Sequence, residues 1–496
     1  MLTSHQTTSI AKSRIAILAL SICALVAISG CTTKTAFQTS FNEELLTPNE
    51  LAIAHENPNV ANNKAMQENA NGNIANIIPL KTAEQQTPVS MDMSLQAVAF
   101  VALEQNPTIS IARWQAVGAA AAVSLAKVKQ RPKISYSLSS GPEGAYGAGV
   151  DELVTQIRSE TSFTLSQLLY DFGKVSEEVN FAKTAKIAAQ KRLAHKISKV
   201  LFDVSDIYLK VLEQDLLIAN SYENEKAHKE TYRLVSINER GGNATQADVQ
   251  KAFTRLEGAR TQTLDMLSKR QQSASEFRRL TGLEPENLSK PKTNNNIAEI
   301  KASEIEKYSD RNPFMQAILI DIESLKHQKT ALERSYMPTL SLEGAGGTKH
   351  NVGAESPLSA DARIQLALRG VIFDGGSIKA KIAQTEAKLG EKTARYRKAQ
   401  YDIENQVNDV IRILSTAKDK QKSIRKRIKA SKDVVRLYTE QFKAGERTIF
   451  ELLDAQQELF AAKAEQISNR YDVLRAQYSA QKLTGELIPN LLGGLE

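Results

Sequence analysis

Proline and aromatic residues are scarce in this sequence of 496 residues. There are 13 prolines, with none between Pro142 and Pro285 and none between Pro357 and Pro489. Because proline ends helices, these two stretches predict very long helices. Aromatic residues make up 6% of the chain, and Trp114 is the single tryptophan. A compact core built on aromatic anchors is therefore not expected, and Trp114 is expected to pack in a short helix.

Cysteine and unbalanced charge are also lacking. The two cysteines, Cys23 and Cys31, exclude a disulfide-rich scaffold. The net charge is +8, but 64 basic and 56 acidic residues are interspersed, which is typical of solvated helix faces and predicts no nucleic-acid partner. The sequence contains no phosphate-binding loop, nucleophile elbow or zinc-protease motif, so we expect no enzymatic activity, no cofactor and no metal centre.

The N-terminus resembles the signal peptide of a bacterial lipoprotein. An apolar run over 15–26 follows two basic residues, is too short to span a bilayer, and leads to small residues before Cys31. By this resemblance residues 1–30 are removed, and Cys31 becomes the lipidated first residue of an outer-membrane protein. An ordinary signal peptide with a chance cysteine is the alternative. Residues 31–92 are rich in Asn, Ala, Gln and Thr, and we expect a flexible tether there.

The rest of the chain is a tandem duplication. Each copy has an Asn-Pro pair followed by a second proline 25 residues later, at Pro107 and Pro132 and at Pro313 and Pro338. Each copy also ends in Leu-Thr-Gly. Such spacing at a fixed period indicates repeats. The predicted segments are a first repeat at 94–285, an equatorial linker at 286–303, a second repeat at 304–488 and a C-terminal tail at 489–496.

Within each repeat the pattern predicts a helix, two strands, a very long helix and a shorter returning helix. Between Gly173 and Gly241 lie 67 residues without glycine or proline, and the stretch between Gly376 and Gly445 is nearly as clean. At ~1.5 Å per residue, each long helix would measure about 100 Å. Gly241-Gly242 and Gly445 lie where these helices must reverse, and glycine accepts the positive φ that such turns require.

Four strands are predicted, at Lys133–Ser140, Ser159–Tyr170, Thr339–Ala345 and Arg363–Phe373. Apolar and polar residues alternate along them, as in a strand of a transmembrane barrel. Four strands cannot close in lipid, because unpaired edges are not tolerated there. Several chains must therefore pool their strands, and three chains would give twelve. The alternative is a small soluble sheet with one wet face.

The whole body, 94–488, resembles the TolC family of outer-membrane channels. The Asn-Pro pairs, the Asp-Phe-Gly and Asp-Gly-Gly ends of the strand pairs, and the Leu-Thr-Gly ends all match. The most specific match is the run Gly445–Ala455, which parallels the family's Gly-Thr-Arg-Thr tip followed by two spaced acids.

This resemblance implies an α+β membrane protein: a homotrimer with a twelve-stranded β-barrel, four strands per chain, on a long α-helical coiled-coil tunnel in the periplasm. It implies the exit duct of a tripartite efflux or type I secretion system. The expected partners are outer-membrane lipid, a periplasmic adaptor protein and an inner-membrane transporter of the ABC or RND type. A non-conducting coiled-coil lipoprotein tether is the alternative function.

The resemblance also implies a gate at the helix tips. Glu451 and Asp454 would line the entrance, as two stacked carboxylate rings in a trimer, and would favour cations. Arg447 and Asp248 match positions that hold neighbouring tip helices closed. Phe442 stands where the family's best-known channel has tyrosine, so one closing hydrogen bond cannot form.

Helix capping offers another interpretation of two of these acids. Thr448 and Glu451, like Thr245 and Asp248, have the spacing of a capping box, in which a hydroxyl and an acid cap a helix N-terminus. Capping would explain both acids without a pore. Asp454 lies beyond the first turn, gains little from capping, and is the sharpest candidate for a gate residue.

Overall fold

The structure, a computed structural model, describes residues 93–145, 154–291, 305–350 and 358–493. The predicted signal peptide, Cys31 and the predicted tether up to residue 92 lie outside the described residues, as does most of the predicted linker. All described residues belong to one unit, Met91–Glu496.

The described elements follow the same order twice. The first half contains α1 (Leu95–Gln105), α2 (Pro107–Val128), β1 (Lys133–Ala145), β2 (Val154–Tyr170), α3 (Lys174–Arg240) and α4 (Gln246–Thr281). The second half contains α5 (Ile305–Arg311), α6 (Pro313–Glu333), a 3₁₀ turn (Arg334–Tyr336), β3 (Thr339–His350), β4 (Ser359–Arg369), α7 (Ser377–Lys443), α8 (Ile449–Thr484) and α9 (Leu487–Leu492).

The two long helices are confirmed, since α3 and α7 each contain 67 residues. At the N-terminus of each long helix, an aspartate from the end of the preceding strand pair acts as a cap. The Asp171 carboxylate accepts hydrogen bonds from the backbone N–H groups of Gly173 (2.9 Å) and Val175 (2.6 Å). Asp374 accepts at the same two distances from the residues two and four further on. These bonds satisfy N–H groups that have no partner inside a helix. Helix capping therefore explains why both repeats have an aspartate two residues before the glycine at the start of the long helix.

The reversal at each helix tip uses one left-handed glycine. Gly242 has φ 78° and Gly445 has φ 75°, a conformation that glycine adopts without steric cost. The prediction of a positive φ was wrong for Gly241, which caps α3 with φ −82° and donates its N–H to the Ile237 carbonyl. Gly241 still belongs to the right-handed helix end, and only the residue after it turns the chain.

The strands form one antiparallel sheet in the order β1-β2-β3-β4. One face is apolar and exposed, and carries Ile134, Tyr136, Leu138, Ile364, Leu366 and Leu368. The opposite face is polar, with hydroxyl pairs such as Ser135 with Thr164 (2.7 Å) and an ion pair between Arg369 and Glu343. This alternation is that of a barrel strand with lipid outside and water inside.

The strand ends differ from the prediction at both ends of the sheet. β4 ends at Arg369 rather than Phe373, because its partner β3 begins at Thr339, and Thr339 pairs with Arg369. Beyond that point β4 has no ladder partner. At the other end all four strands extend further than predicted, since residues such as Gly141, paired with Arg158, continue the ladder.

The helices form two antiparallel hairpins, which we call hairpin 1 (α3 and α4) and hairpin 2 (α7 and α8). They pack on each other through α3 and α8. The largest core cluster lies between α1, α3, α4, α8 and α9 and includes the fully buried Tyr208 and Phe277. Leu487 and Leu491 of α9 also pack there, so part of the predicted C-terminal tail is helical.

Helix α2 leaves much apolar surface uncovered. Among the described helices it alone is long and apolar enough to cross a membrane, judged by length and composition. Its buried residues, such as Ile109 and Ala112, face α3. Trp114 is 66% exposed, so within one chain it does not pack as the sequence predicts. It lies on a face of α2 that no described element covers.

A half-buried histidine makes the helical body sensitive to acid. The His195 ring on α3 lies 4.8 Å from that of Phe314 on α6. Burial lowers its pKa to about 4, assisted by Lys196, Lys482 and Lys199. The unfolded chain therefore binds this proton near pH 6.5, while the folded chain does not bind it until about pH 4.

We expect His195→Gln to remove part of the acid destabilisation. Between pH 6.5 and about 4, the wild type should lose at most ~3 kcal/mol more stability than the variant. Thermal unfolding followed by circular dichroism at pH 7, 5.5 and 4.5 measures this difference. Parallel curves for the two proteins would contradict the assignment.

Candidate functional site at the helix tips

The two hairpins meet at the tip around a small apolar cluster. It contains Val235 of α3, Val249 and Ala252 of α4, Phe442 of α7, and Ile449, Leu452 and Leu453 of α8. Phe442 is 7% exposed. Its ring is therefore part of the packing that joins the hairpins, and the residue contributes no polar bond there.

Arg447 is held within hairpin 2 by three groups. Its Nε donates to Gln441 Oε1 (2.7 Å), and its Nη1 donates to Glu451 Oε1 (2.6 Å). The guanidinium carbon lies 3.8 Å from the centroid of the Tyr438 ring, a cation–π contact. In the described part of the chain these contacts join α7 to α8 and do not reach hairpin 1.

The two predicted capping boxes differ in the structure. The Asp248 N–H donates to Thr245 Oγ1 (3.2 Å), and the Thr245 N–H donates to Asp248 Oδ2 (2.9 Å), so this box is complete. The Thr448 side chain makes no capping hydrogen bond, and its hydroxyl donates to Glu451 Oε2 (3.0 Å) instead. Capping therefore accounts for Asp248, whereas Glu451 is held by Arg447 and Thr448.

Asp454 is the most exposed acid of the group and pairs with a residue that the sequence reasoning missed. Its side chain is 74% exposed, and its Oδ1 lies 3.2 Å from Arg255 Nη2 on α4. One turn closer to the tip, Lys251 Nζ lies 5.4 Å from the centroid of the Phe450 ring. The positions of the helix starts do not predict this pair, because Arg255 lies ten residues after Thr245 whereas Asp454 lies six residues after Thr448.

Behind Arg255, α3 presents a neutral histidine. His228 is 2% exposed, and burial lowers its pKa, with Arg255 lowering it further. Its Nδ1 and the nearby Gln456 Oε1 have no hydrogen-bond partner among the described residues. Gln456 instead donates to Thr231 (2.9 Å), one turn from His228. Arg255 therefore faces an uncharged side chain on α3 and a carboxylate on α8.

Two long helical hairpins joined to a sheet with one lipid-type face define an outer-membrane channel subunit, and comparison with known proteins agrees. The model of the outer membrane efflux protein family matches residues 100–283 and 305–486. The chain belongs to the outer membrane efflux protein family. It is an exit duct located in the outer membrane with a periplasmic extension, and it is not an enzyme.

The relatives cover most of the body. The outer membrane efflux protein BepC of Brucella suis is 22% identical over 378 residues, 75% of this chain and 80% of BepC. The toluene efflux pump outer membrane protein TtgC of Pseudomonas putida is 24% identical over 343 residues, 66% of this chain and 70% of TtgC. The solved CmeC channel of Campylobacter jejuni has a TM-score of 0.71 at 17% identity, and covers 79% of this chain and 86% of CmeC. The resemblance inferred from sequence is confirmed.

Proposed function

We propose that three copies of this chain assemble into one duct, with a twelve-stranded barrel in the outer membrane and the hairpins as a periplasmic tunnel. Cys31 would carry a lipid anchor beside the barrel. The observation that carries this proposal is the four-stranded sheet with an exposed apolar face and two free edges. In the described part of the chain, β1 and β4 pair with no strand on their outer sides. Lipid does not tolerate such edges, so strands of other copies must complete the barrel.

The duplication gives independent support from the helices. Helix α6 packs on both α3 and α7, whereas its repeat counterpart α2 packs mainly on α3. Ala317 and Ala331 of α6 are buried, but Ile111 and Leu125, at the corresponding positions of α2, are 59% and 71% exposed. The repeat therefore supports α7 of a second copy as the occupant of this face of α2.

Trp114 reports on this assembly because it is the single tryptophan and lies on the same face of α2. We expect the intact protein to have the mass of three chains and a blue-shifted tryptophan emission. Heat dissociation to single chains should shift the emission to that of a hydrated indole. Native mass spectrometry and fluorescence on one sample measure both quantities. A single-chain mass with hydrated emission before heating would favour the coiled-coil tether.

The tip would be the entrance of the duct. In a trimer Glu451 and Asp454 give six carboxylates near the three-fold axis, a charge arrangement that favours cations and that divalent cations could block. Arg447 and Asp248, which within one chain contact only their own hairpins, would help to hold the tips of neighbouring chains together, with Gly242 and Gly445 setting the tight turns. Phe442 adds apolar packing in place of a hydroxyl bond, so closure depends on the remaining polar contacts.

The duct would work with partners that open it. We expect a periplasmic adaptor protein at the tip and an inner-membrane transporter of the ABC or RND type, which would supply either small molecules for efflux or a protein for type I secretion. Eight basic residues on α7, from Lys418 to Lys432, lie ~30 Å from the tip turn, and we interpret them as a solvated outer face rather than as a nucleic-acid site.

A further inference from the structure

The polar contacts that join the two hairpins at the tip are not those that the family resemblance suggested. Within one chain Asp248 caps its own helix, and Arg447 binds groups of its own hairpin. Phe442 has no hydroxyl. The polar contacts between α4 of hairpin 1 and α8 of hairpin 2 are made by Arg255 with Asp454 and by Lys251 with Phe450.

These four residues form a matched ladder. Lys251 and Arg255 are four residues apart on α4, and Phe450 and Asp454 are four apart on α8, so each pair lies on one face of its helix. Both helices run away from the tip, and the two rungs are therefore in register. We call this set of four side chains the clasp. Lys251 is attracted to the Phe450 ring, because a cation within about 6 Å of an aromatic centroid is stabilised. Arg255 and Asp454 attract each other as an ion pair, so both contacts hold α4 against α8.

We propose that the clasp is the latch between the two hairpins of each chain, and that Arg255 controls the charge of the entrance by covering Asp454. This inference rests on the proposed entrance at the tip. With the clasp closed, each Asp454 is neutralised by Arg255, and each Glu451 by Arg447. The resting entrance then carries paired charges, and separation of α8 from α4 converts Asp454 into a free carboxylate. Cation preference would therefore appear as the gate opens.

The surroundings of Arg255 support this role. On α3 the adjacent His228 is buried and neutral at neutral pH, so that side offers no competing carboxylate. Glu257 on α4 and Glu225 on α3 pair instead with Arg260, at 2.5 and 3.5 Å. The clasp is exposed, with Arg255 41% and Asp454 74% accessible, and it is therefore weak enough for a partner to open.

Cross-linking tests the latch without requiring current. Both native cysteines precede residue 93, so Lys251→Cys with Phe450→Cys provides a specific pair for a short bifunctional maleimide. Adding Arg255→Gln should slow cross-linking about two- to fivefold, the equilibrium shift expected for one exposed ion pair. Arg233→Gln is the matched control, since it removes the same charge from an exposed ion pair with Glu230 that lies within α3, and should leave the rate unchanged. Equal rates in the two backgrounds would overturn the latch.

Ion selectivity tests the covering of Asp454. In planar bilayers Arg255→Gln should raise the permeability ratio of K⁺ to Cl⁻, and Asp454→Asn should abolish that rise, while Arg233→Gln should behave as the wild type. The charge swap Arg255→Asp with Asp454→Arg should restore the wild-type cross-linking rate, and this variant also controls for misfolding. A ratio that Arg255→Gln leaves unchanged would overturn the control of charge. If no variant conducts while the cross-linking difference persists, the proposed channel fails and the latch stands.

Discussion

Leu366→Arg is expected to prevent stable assembly in the outer membrane. Leu366 is 67% exposed, on the apolar face of β4, and its cross-strand partner is Leu342. Arginine near the middle of a lipid-facing strand costs about 2–4 kcal/mol per chain. A trimer contains three such arginines, so the loss of stability should exceed that caused by any single surface substitution in the hairpins.

The adjacent residue provides the control. Gln365 points to the opposite face of β4, where its Nε2 donates to Glu343 Oε2 (3.3 Å). Gln365→Arg introduces the same group into the watery face and should allow assembly. The amount of heat-sensitive oligomer in outer-membrane fractions, compared on unheated and heated gels, measures the outcome. Equal tolerance of both arginines would contradict a lipid-facing sheet and would favour a small soluble one.

Combined neutralisation of the proposed entrance acids is expected to have the largest effect on conduction. In an open channel, Glu451→Gln with Asp454→Asn removes six carboxylates per trimer. The K⁺ to Cl⁻ permeability ratio should fall towards one. Block by divalent cations should weaken by at least about tenfold, equivalent to ~1.4 kcal/mol.

The control for this experiment is Asp265→Asn with Glu276→Gln, which removes the same charge from exposed positions of α4 far from the tip. Selectivity and block should then match the wild type. A conducting Glu451→Gln and Asp454→Asn variant with wild-type selectivity would show that the entrance charge lies elsewhere.

The helices and their turns could be predicted because their signals are local. A 67-residue stretch without glycine or proline lies between Gly173 and Gly241, and it favours one long helix because glycine and proline have the lowest helix propensities. The duplication doubled this signal, since each boundary occurs twice. The exact residue that turns left-handed was harder, because Gly241 and Gly242 are equally permissive and only the end of α3 decides between them.

The contacts between elements were beyond local signals. The end of β4 depends on where β3 starts, and the exposure of Trp114 depends on which helix covers α2. The pairing of Arg255 with Asp454 joins residues 199 positions apart, in different hairpins. Arg255 lies ten residues after the N-cap of α4 and Asp454 six residues after that of α8, so the packing of α4 against α8 was needed to select this contact.

Conduction distinguishes a duct from a coiled-coil tether, and single-channel recording measures it. Purified trimers should give a small, stable conductance in planar bilayers. Arg447→Ser removes the bonds to Gln441 and Glu451 and the contact with Tyr438, and should give a larger conductance. If the Arg447→Ser protein had the trimeric mass and helical content of the wild type but gave no conductance, this result would contradict a conducting duct.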